Sequence, residues 1–207
     1  ALLRLPRSRL GAAELLTILE VPAVLAKFGL DAGAFDQLRQ WVQEAGIRWG
    51  LDQSYPQRFD LPPLQGNHWL YGLRRLLLGY AMGDGAPVQG VLPYAAVEGQ
   101  SAVWLGKLAA FVDNLAELLP QLETAATLEV WQTRILTLIE TCYLPEEEDE
   151  RRLQQVRDQL LHWQAELAGT GFDGDLSPEL VYSLMQQALT EQRSSQRFLA
   201  GQVNFCT

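Results

Sequence analysis

The chain has 207 residues, a formal net charge of −9 at neutral pH and 48% hydrophobic residues, which is ordinary for one or two globular domains. No apolar run approaches the ~20 residues that a membrane-spanning helix needs. Two cysteines are too few for a disulfide framework and fit a reducing cytoplasm. The negative charge argues against a nucleic-acid groove along the whole chain.

Positive charge is nevertheless concentrated in the N-terminal third of the sequence. The basic residues there are Arg4, Arg7, Arg9, Lys27, Arg39, Arg48, Arg58, Arg74 and Arg75. The acidic residues, in contrast, are concentrated in the run Glu146–Glu150. A local basic surface is therefore compatible with the net negative charge.

The first helices follow from apolar spacing and from residues that begin or end helices. Leu15 and Leu19 have helical spacing, and Pro22 suits the first turn of the helix that follows. Asp31 is expected to cap a third helix, which closes at Gly46.

A long non-helical segment follows. Residues 47–66 lack helical periodicity and contain several glycines and prolines, which predicts a structured loop. Loops of this length are usually functional or tied to a partner. Asn67 is expected to cap a helix over residues 68–82, and the apolar run Leu76–Met82 within it is expected to be buried.

The second half of the sequence is also helical until its end. Helices are predicted over residues 101–119, 128–143, 147–167 and 177–192. Val203–Thr207 alternates and is rich in β-branched and aromatic residues, which predicts a strand. Because a lone strand would lack a pairing partner, the chain is expected to be cut from a larger protein. The fold class predicted is mainly α: a multi-helix orthogonal bundle of about seven helices with one long irregular loop and a terminal strand fragment.

No catalytic or metal-binding residue is assigned from the sequence. Gly106 and Lys107 superficially resemble a phosphate-binding loop, but the rest of that motif is missing. Neither His68 nor His162 has a His, Cys or carboxylate at metal-ligand spacing in a convincing cluster, and a structural role is expected for both. We therefore expect a segment that is itself non-catalytic and holds no cofactor.

Tryptophans are the first candidates for contact with nucleic acid, since aromatic rings can stack on bases. Those inside amphipathic helices are expected to pack in the core, and they are Trp41, Trp104, Trp131 and Trp163. Trp49 and Trp69 flank the long loop, and the sequence leaves their role open.

Arginines around the long loop are the second group of candidates. The candidate DNA phosphate contacts are Arg48, Arg58, Arg74 and Arg75. Guanidinium groups bind phosphate well. Ordinary surface charge is the other interpretation, and the sequence by itself favours it over phosphate contact.

Four stretches of the sequence, taken in their order and spacing, carry a family resemblance. They are Leu38–Leu51 (LRQWVQEAGIRWGL), Trp69–Met82 (WLYGLRRLLLGYAM), Val91–Tyr94 (VLPY) and Ser195–Thr207 (SQRFLAGQVNFCT). Together they closely resemble the gamma-subunit family of exodeoxyribonuclease V, RecC. The upstream segment Leu15–Phe28 fits as well, while the region from about 100 to 190 matches mainly in its helical character.

The resemblance implies a UvrD-like helicase fold that has lost its ATPase motifs. Residues 1–198 would be the helical insertion, or 2B-type region, of the second and inactive helicase-like domain, with a further division conceivable near residues 95–100. Residues 199–207 would begin a return strand into the absent parent α/β domain. ATP and magnesium would bind other subunits of the complex.

The function implied by the resemblance is a non-catalytic scaffold and DNA-channel role in a RecBCD-type helicase and nuclease. Its partners would be the helicase/nuclease beta subunit, the helicase alpha subunit, and DNA through the full subunit, with no membrane contact. The complex would act in double-strand break resection for recombinational DNA repair, in the bacterial cytoplasm at the nucleoid. The alternative is a free-standing helical protein-interaction module, which would not need the terminal strand.

Overall fold

The computed structural model describes the backbone of residues 1–199, and the side chains within it except those of Glu148 and residues 191–199. This part of the chain is mainly helical. Its α-helices are α1 (Ala12–Leu19), α2 (Pro22–Lys27), α3 (Ala32–Glu44), α4 (Trp69–Met82), α5 (Ala102–Leu118), α6 (Leu128–Cys142), α7 (Glu147–Ala168) and α8 (Pro178–Leu199). Short 3-10 helices cover Leu2–Arg7, Tyr55–Phe59, Gly99–Ser101 and Leu119–Leu122.

Extended structure is minor within residues 1–199. Two isolated antiparallel bridges occur there, between Val88 and Val91 and between Ala126 and Leu176, and they do not extend into a sheet. The mainly α fold class is therefore confirmed. The terminal strand predicted for Val203–Thr207 lies outside the described residues.

Two helix starts have side-chain capping contacts, and the one at Asp31 is expected from the sequence. The Asp31 carboxylate accepts a hydrogen bond from the Ala34 amide at 2.7 Å at the start of α3. The Ser177 hydroxyl accepts from the Leu180 amide at 3.3 Å at the start of α8. Such side chains satisfy amides that the first helical turn leaves without a partner.

The start of α4 differs from the prediction. Asn67 lies outside the helix with a left-handed φ of 64°, and His68 is the N-cap. The His68 Nδ1 atom accepts a hydrogen bond from the Tyr71 amide at 3.1 Å. An unprotonated ring nitrogen can accept a hydrogen bond from a helix amide as a capping oxygen does. The usual preference for Asn at the N-cap had instead indicated Asn67.

One hydrophobic core runs through the described chain, from Leu2 to Met185. Helix α5 packs against α3, α4 and α6 and is central to this core. The core contains residues from both sides of positions 95–100, while the domain boundaries themselves stay predictions.

Two buried indoles join distant parts of the chain. The Trp69 Nε1 atom donates to the Leu10 carbonyl oxygen, and the Trp131 Nε1 atom donates to the Leu176 carbonyl oxygen, both at 2.9 Å. Both rings are almost fully buried, so each would otherwise leave a costly unpaired donor. Core packing, expected for Trp131 and left open for Trp69, is thus the role of both.

Helix α7 is the most polar helix and packs on α6 and α8. Ion pairs follow its exposed face, including Arg151 with Glu147 and Arg152 with Asp149, both at 3.2 Å. Exposed pairs of this kind contribute little to stability. Among the described residues, no helix is both long enough and apolar enough to cross a bilayer.

The second half of α4 corrects the expectation that Leu76–Met82 is buried. Leu76 is fully buried, but Leu77, Tyr80 and Met82 are 45%, 51% and 57% exposed. The apolar residues there outnumber the positions that one buried helix face offers, so some of them face outward. This end of α4 therefore presents an apolar surface.

Candidate nucleic-acid interface

The long segment that surrounds the candidate arginines is fixed by backbone hydrogen bonds. The Arg48 amide donates to the Asn67 carbonyl oxygen at 2.7 Å, so the two ends of residues 47–66 meet. The Gly50 amide donates to the Arg9 carbonyl oxygen at 2.8 Å. The two ends of the segment are therefore joined to each other, and the segment is also joined to the N-terminal residues.

A turn within this segment is fixed by one carboxylate. The Asp52 Oδ1 atom accepts from the amides of Ser54 and Tyr55, at 2.8 and 2.9 Å. The Tyr55 hydroxyl then donates to the Ser8 carbonyl oxygen at 3.0 Å. This arrangement places the 3-10 helix Tyr55–Phe59, which carries Arg58, against the N-terminal residues.

His68 caps the helix that carries the next two candidates. Its side chain is buried, with 6% exposure, and burial lowers the pKa of the imidazole below the ordinary 6.5, against a weaker opposing effect of a hydrogen bond to the Leu51 backbone. The neutral ring is the form that can accept from the Tyr71 amide. The structural role expected for His68 agrees with this geometry.

The Arg75 guanidinium forms hydrogen bonds within the protein. Its Nη1 atom donates to the Ala45 carbonyl oxygen at 2.7 Å, and its Nε atom donates to the Leu92 carbonyl oxygen at 3.0 Å. The same group lies 5.6 Å from the Tyr94 ring centroid. These contacts join the end of α3 and the segment after α4 to the middle of α4.

Arg58 is paired with a carboxylate. Its Nη2 atom lies 2.5 Å from the Glu123 Oε1 atom, and the two side chains are 34% and 29% exposed. The guanidinium also lies 5.0 Å from the Tyr55 ring centroid. Because Glu123 already neutralises its charge, a phosphate would have to compete for Arg58.

Arg48 and Arg74 are the two candidates whose charge is available. Both residues are exposed. Among the described residues, neither guanidinium has a carboxylate at ion-pair distance or a hydrogen-bond acceptor. Exposed guanidinium groups without a partner are suited to contact phosphate.

Arg9 is a third exposed arginine of this kind, which the sequence reasoning did not single out. Its guanidinium lies 5.6 Å from the Trp49 ring centroid and 5.8 Å from that of Phe59. Trp49 and Phe59 contact each other edge to face at 6.3 Å. Arg9 is distant from these rings in the sequence, and tertiary contacts such as the hydrogen bond from the Gly50 amide to the Arg9 carbonyl oxygen bring them together.

The four candidate arginines do not converge on one cleft. Arg58 lines a cleft of about 650 Å³, Arg74 lines another of about 680 Å³, and Arg48 lines a third of about 330 Å³. In the cleft of Arg58, three arginines are balanced by three glutamates, and Arg7 is paired with Glu179. That first cleft is therefore not a strongly basic one.

Comparison with known proteins gives the family of the chain. The family model described as "RecBCD enzyme subunit RecC fourth domain" matches residues 1–193. RecBCD enzyme subunit RecC of Escherichia coli is 38% identical over 100% of this chain. The chain belongs to the RecC family. RecC of Mycolicibacterium smegmatis is 30% identical and that of Haemophilus influenzae 28% identical, each over 100% of this chain.

The chain spans less than a fifth of these RecC relatives, namely 18% of the Escherichia coli and Haemophilus influenzae proteins and 19% of the Mycolicibacterium smegmatis protein. The family model covers residues 1–193, and the Escherichia coli and Haemophilus influenzae relatives match along the whole chain. The resemblance read from four short stretches is thus confirmed at the level of the family.

The RecC-like stretches from the sequence have a packing role in this structure. A Cβ atom added to Gly79 in α4 would lie 2.0 Å from the Tyr94 carbonyl oxygen, and one added to Gly72 would lie 2.1 Å from the Ile47 side chain. Both distances are far below van der Waals contact. The glycines of GLRRLLLG therefore let α4 contact the segments that carry AGIRWG and VLPY.

Metal binding and thiol chemistry are two further activities for which the described residues can be examined. No group of three or more His, Cys, Asp or Glu side chains there could hold a metal ion. Cys142 is fully buried, and burial raises the pKa of its thiol to about 11. A thiol with this pKa is protonated at neutral pH and is a poor nucleophile.

Proposed function

We propose that this chain is a non-catalytic scaffold and DNA-contacting segment of a RecC-type subunit. In that role it would help a RecBCD-type enzyme to resect double-strand breaks for recombinational DNA repair, at the bacterial nucleoid. The observation that carries the proposal is the match of a RecC domain model to residues 1–193. The beta and alpha subunits of the complex are the protein partners proposed.

The DNA-contacting part of the proposal rests on the exposed arginines. Arg48 and Arg74 are exposed and, within the described residues, without a carboxylate partner, whereas Arg58 and Arg75 have internal contacts. We therefore assign the phosphate contacts first to Arg48 and Arg74. The net charge of −9 implies weak binding that depends strongly on salt.

The scaffold part is supported by the apolar end of α4. Leu77, Tyr80 and Met82 are large apolar side chains that remain about half exposed. Exposed apolar surface is a common mark of contact with another protein surface. A structural segment of a multi-subunit enzyme would need such a surface.

DNA binding is tested by titrating a fluorescent single-stranded oligonucleotide with the purified chain at several salt concentrations. Arg48→Gln and Arg74→Gln should each weaken binding and reduce the salt slope by about 0.7 per lost phosphate contact. Arg151→Gln, an exposed arginine of α7 paired with Glu147, is the matched control. Equal affinity and equal slope for all four proteins would reject the DNA contacts.

The scaffold role is tested by exchange into a relative. The corresponding segment of Escherichia coli RecC, which is 38% identical, is replaced by this chain. The chimera should co-purify with the other subunits and retain ATP-dependent exonuclease activity. A chimera that folds but does not associate with those subunits would contradict the scaffold proposal.

A further inference from the structure

The cleft that contains Arg74 differs from the others in the chemistry of its walls. It has a volume of about 680 Å³, and its lining includes Gln53, Gln57, Gln65, Gln89 and Arg74. We refer to these five residues as the glutamine cleft. Four carboxamides and one guanidinium make this a hydrogen-bonding cleft with little charge.

Three fixed elements form its walls. The Asp52 carboxylate holds the turn that carries Gln53 and Gln57. His68 caps the first turn of α4 and so fixes the helix on which Arg74 lies. Paired backbone hydrogen bonds at 2.9 Å between Val88 and Val91 hold the turn that carries Gln89.

The wall residues divide into groups that stabilise the fold and groups that do not. The side chains of Asp52 and His68 accept hydrogen bonds from the backbone. In the described part of the chain, the carboxamides of the four glutamines and the guanidinium of Arg74 have no protein partner. Five polar side chains of one cleft are therefore available to a ligand.

Gln89 adds an independent indication. It has φ = 50° and is followed by Gly90 with φ = 81°, the pattern of a type I′ turn. That turn favours Asn, Asp or Gly at its first central position, and other residues there carry conformational strain. Strained residues concentrate at functional sites. Gln89 lines the cleft. A role of its side chain in binding a ligand would explain why a glutamine occupies this strained position.

We propose that the glutamine cleft binds bases of an unpaired DNA strand through its carboxamides while Arg74 binds the adjoining phosphate; this inference rests on the proposed function. A carboxamide presents a donor and an acceptor side by side, which matches the edge of a base. Arg74 supplies one positive charge for the phosphate. The Watson–Crick edges of the bases are free for such contacts only when the strand is single.

Single-stranded DNA suits these walls better than a peptide does. Peptide recognition usually needs apolar pockets for side chains or a sheet edge that can take another strand. Apolar side chains are a minority in the lining, namely Pro63, Leu70 and Val91. The half-buried Tyr71 at the cleft wall offers an additional aromatic ring for a base.

The test compares two oligonucleotides of equal length and charge, one normal and one fully abasic, by fluorescence anisotropy with the purified chain. Gln57→Ala and Gln89→Gly should weaken binding of the normal strand about threefold to tenfold, the effect of one lost hydrogen bond. Neither should change binding of the abasic strand. Arg74→Gln should weaken binding of both strands.

Two features keep the test decisive. Gln89→Gly suits the turn conformation, so the variant should fold at least as well as the parent chain, which thermal unfolding would verify. Gln100→Ala, at an exposed glutamine outside the cleft lining, should bind both strands as the parent chain does.

Each contrary outcome has its own meaning. Unchanged affinity of Gln57→Ala and Gln89→Gly for the normal strand would overturn the base contacts, while a loss with Arg74→Gln would leave the proposed phosphate contacts standing. No effect of any arginine substitution would reject the proposed DNA-binding function itself. Displacement of the oligonucleotide from the cleft by an unfolded polypeptide at equal concentration would assign the cleft to peptide and overturn the inference.

Discussion

Arg75 and Tyr94 are joined through both main chain and side chain. The Tyr94 amide donates to the Arg75 carbonyl oxygen at 3.0 Å, and the Arg75 guanidinium lies 5.6 Å from the Tyr94 ring centroid. Since that guanidinium also donates to the carbonyl oxygens of Ala45 and Leu92, a single side chain connects three segments of the chain.

Removal of this side chain should be costly. We expect Arg75→Ala to lower the free energy of unfolding by about 3 kcal/mol, because two carbonyl groups lose a charged donor. Urea unfolding followed by circular dichroism measures the change. Arg74→Ala is the matched control, since the neighbouring Arg74 is exposed and should change stability by no more than about 0.5 kcal/mol. Equal effects of the two substitutions would contradict the structural role of Arg75.

The close approach at Gly79 predicts a large effect of one methyl group. Gly79→Ala should lower the free energy of unfolding by about 3 kcal/mol, because the new Cβ would meet the backbone at Tyr94. Gly106→Ala provides the comparison, since Gly106 lies within α5 with open space around it. There the higher helix propensity of Ala should stabilise the protein by up to ~1 kcal/mol. A stabilising effect at both positions would disprove the contact.

The buried cap His68 predicts a dependence of stability on pH. Its pKa in the folded protein is below the ordinary 6.5, chiefly because of burial. As the pH falls below 6.5, the unfolded chain binds the proton before the folded protein does, so the contribution of His68 to stability is present above this pH and is lost below it. Urea midpoints of the parent chain should therefore decrease as the pH is lowered.

A substitution isolates this contribution. His68→Asn keeps an acceptor at the N-cap and removes the titrating group, so it should flatten the decrease in urea midpoint near neutral pH. An unchanged slope in His68→Asn would show that other groups cause the pH dependence.

Cys142 should be protected from thiol reagents. The side chain is fully buried and its pKa is raised to about 11, so both access and ionisation oppose reaction. In a Cys206→Ser background, Ellman's reagent should react with Cys142 only after denaturant is added. Rapid stoichiometric reaction of the native protein would show that this part of the core opens readily.

The helices were largely predictable because local signals determine them. Asp31 and Ser177 have side chains that cap helices, and the structure has both caps. Exposure along α4 was not predictable, since Leu76 and Leu77 are equally apolar but only Leu76 faces the core. A hydrophobic pattern gives the width of an apolar face, whereas the neighbouring segments determine how much of it is covered.

In the candidate interface, the sequence likewise did not show which of the basic side chains are exposed. Arg74 and Arg75 are adjacent in sequence, yet successive helical residues point in different directions. Arg75 contacts two carbonyl oxygens, whereas Arg74 is exposed at the glutamine cleft. Arg9 could not be associated with Trp49 from the sequence, because only the tertiary structure brings them together. Sequence composition therefore located the basic region, and the structure distinguished its members.

The hydrogen bond between the Arg48 amide and the Asn67 carbonyl oxygen has a practical consequence for labelling. This hydrogen bond holds the two ends of the intervening loop together. Extra residues inserted between the exposed Pro62 and Pro63 would therefore lengthen the loop without separating its ends. Doubling the length of a flexible loop costs only about 0.6 kcal/mol. A dye-labelled peptide tag or a protease cleavage sequence could therefore be inserted there, which would provide a reporter on the intact domain without altering either terminus.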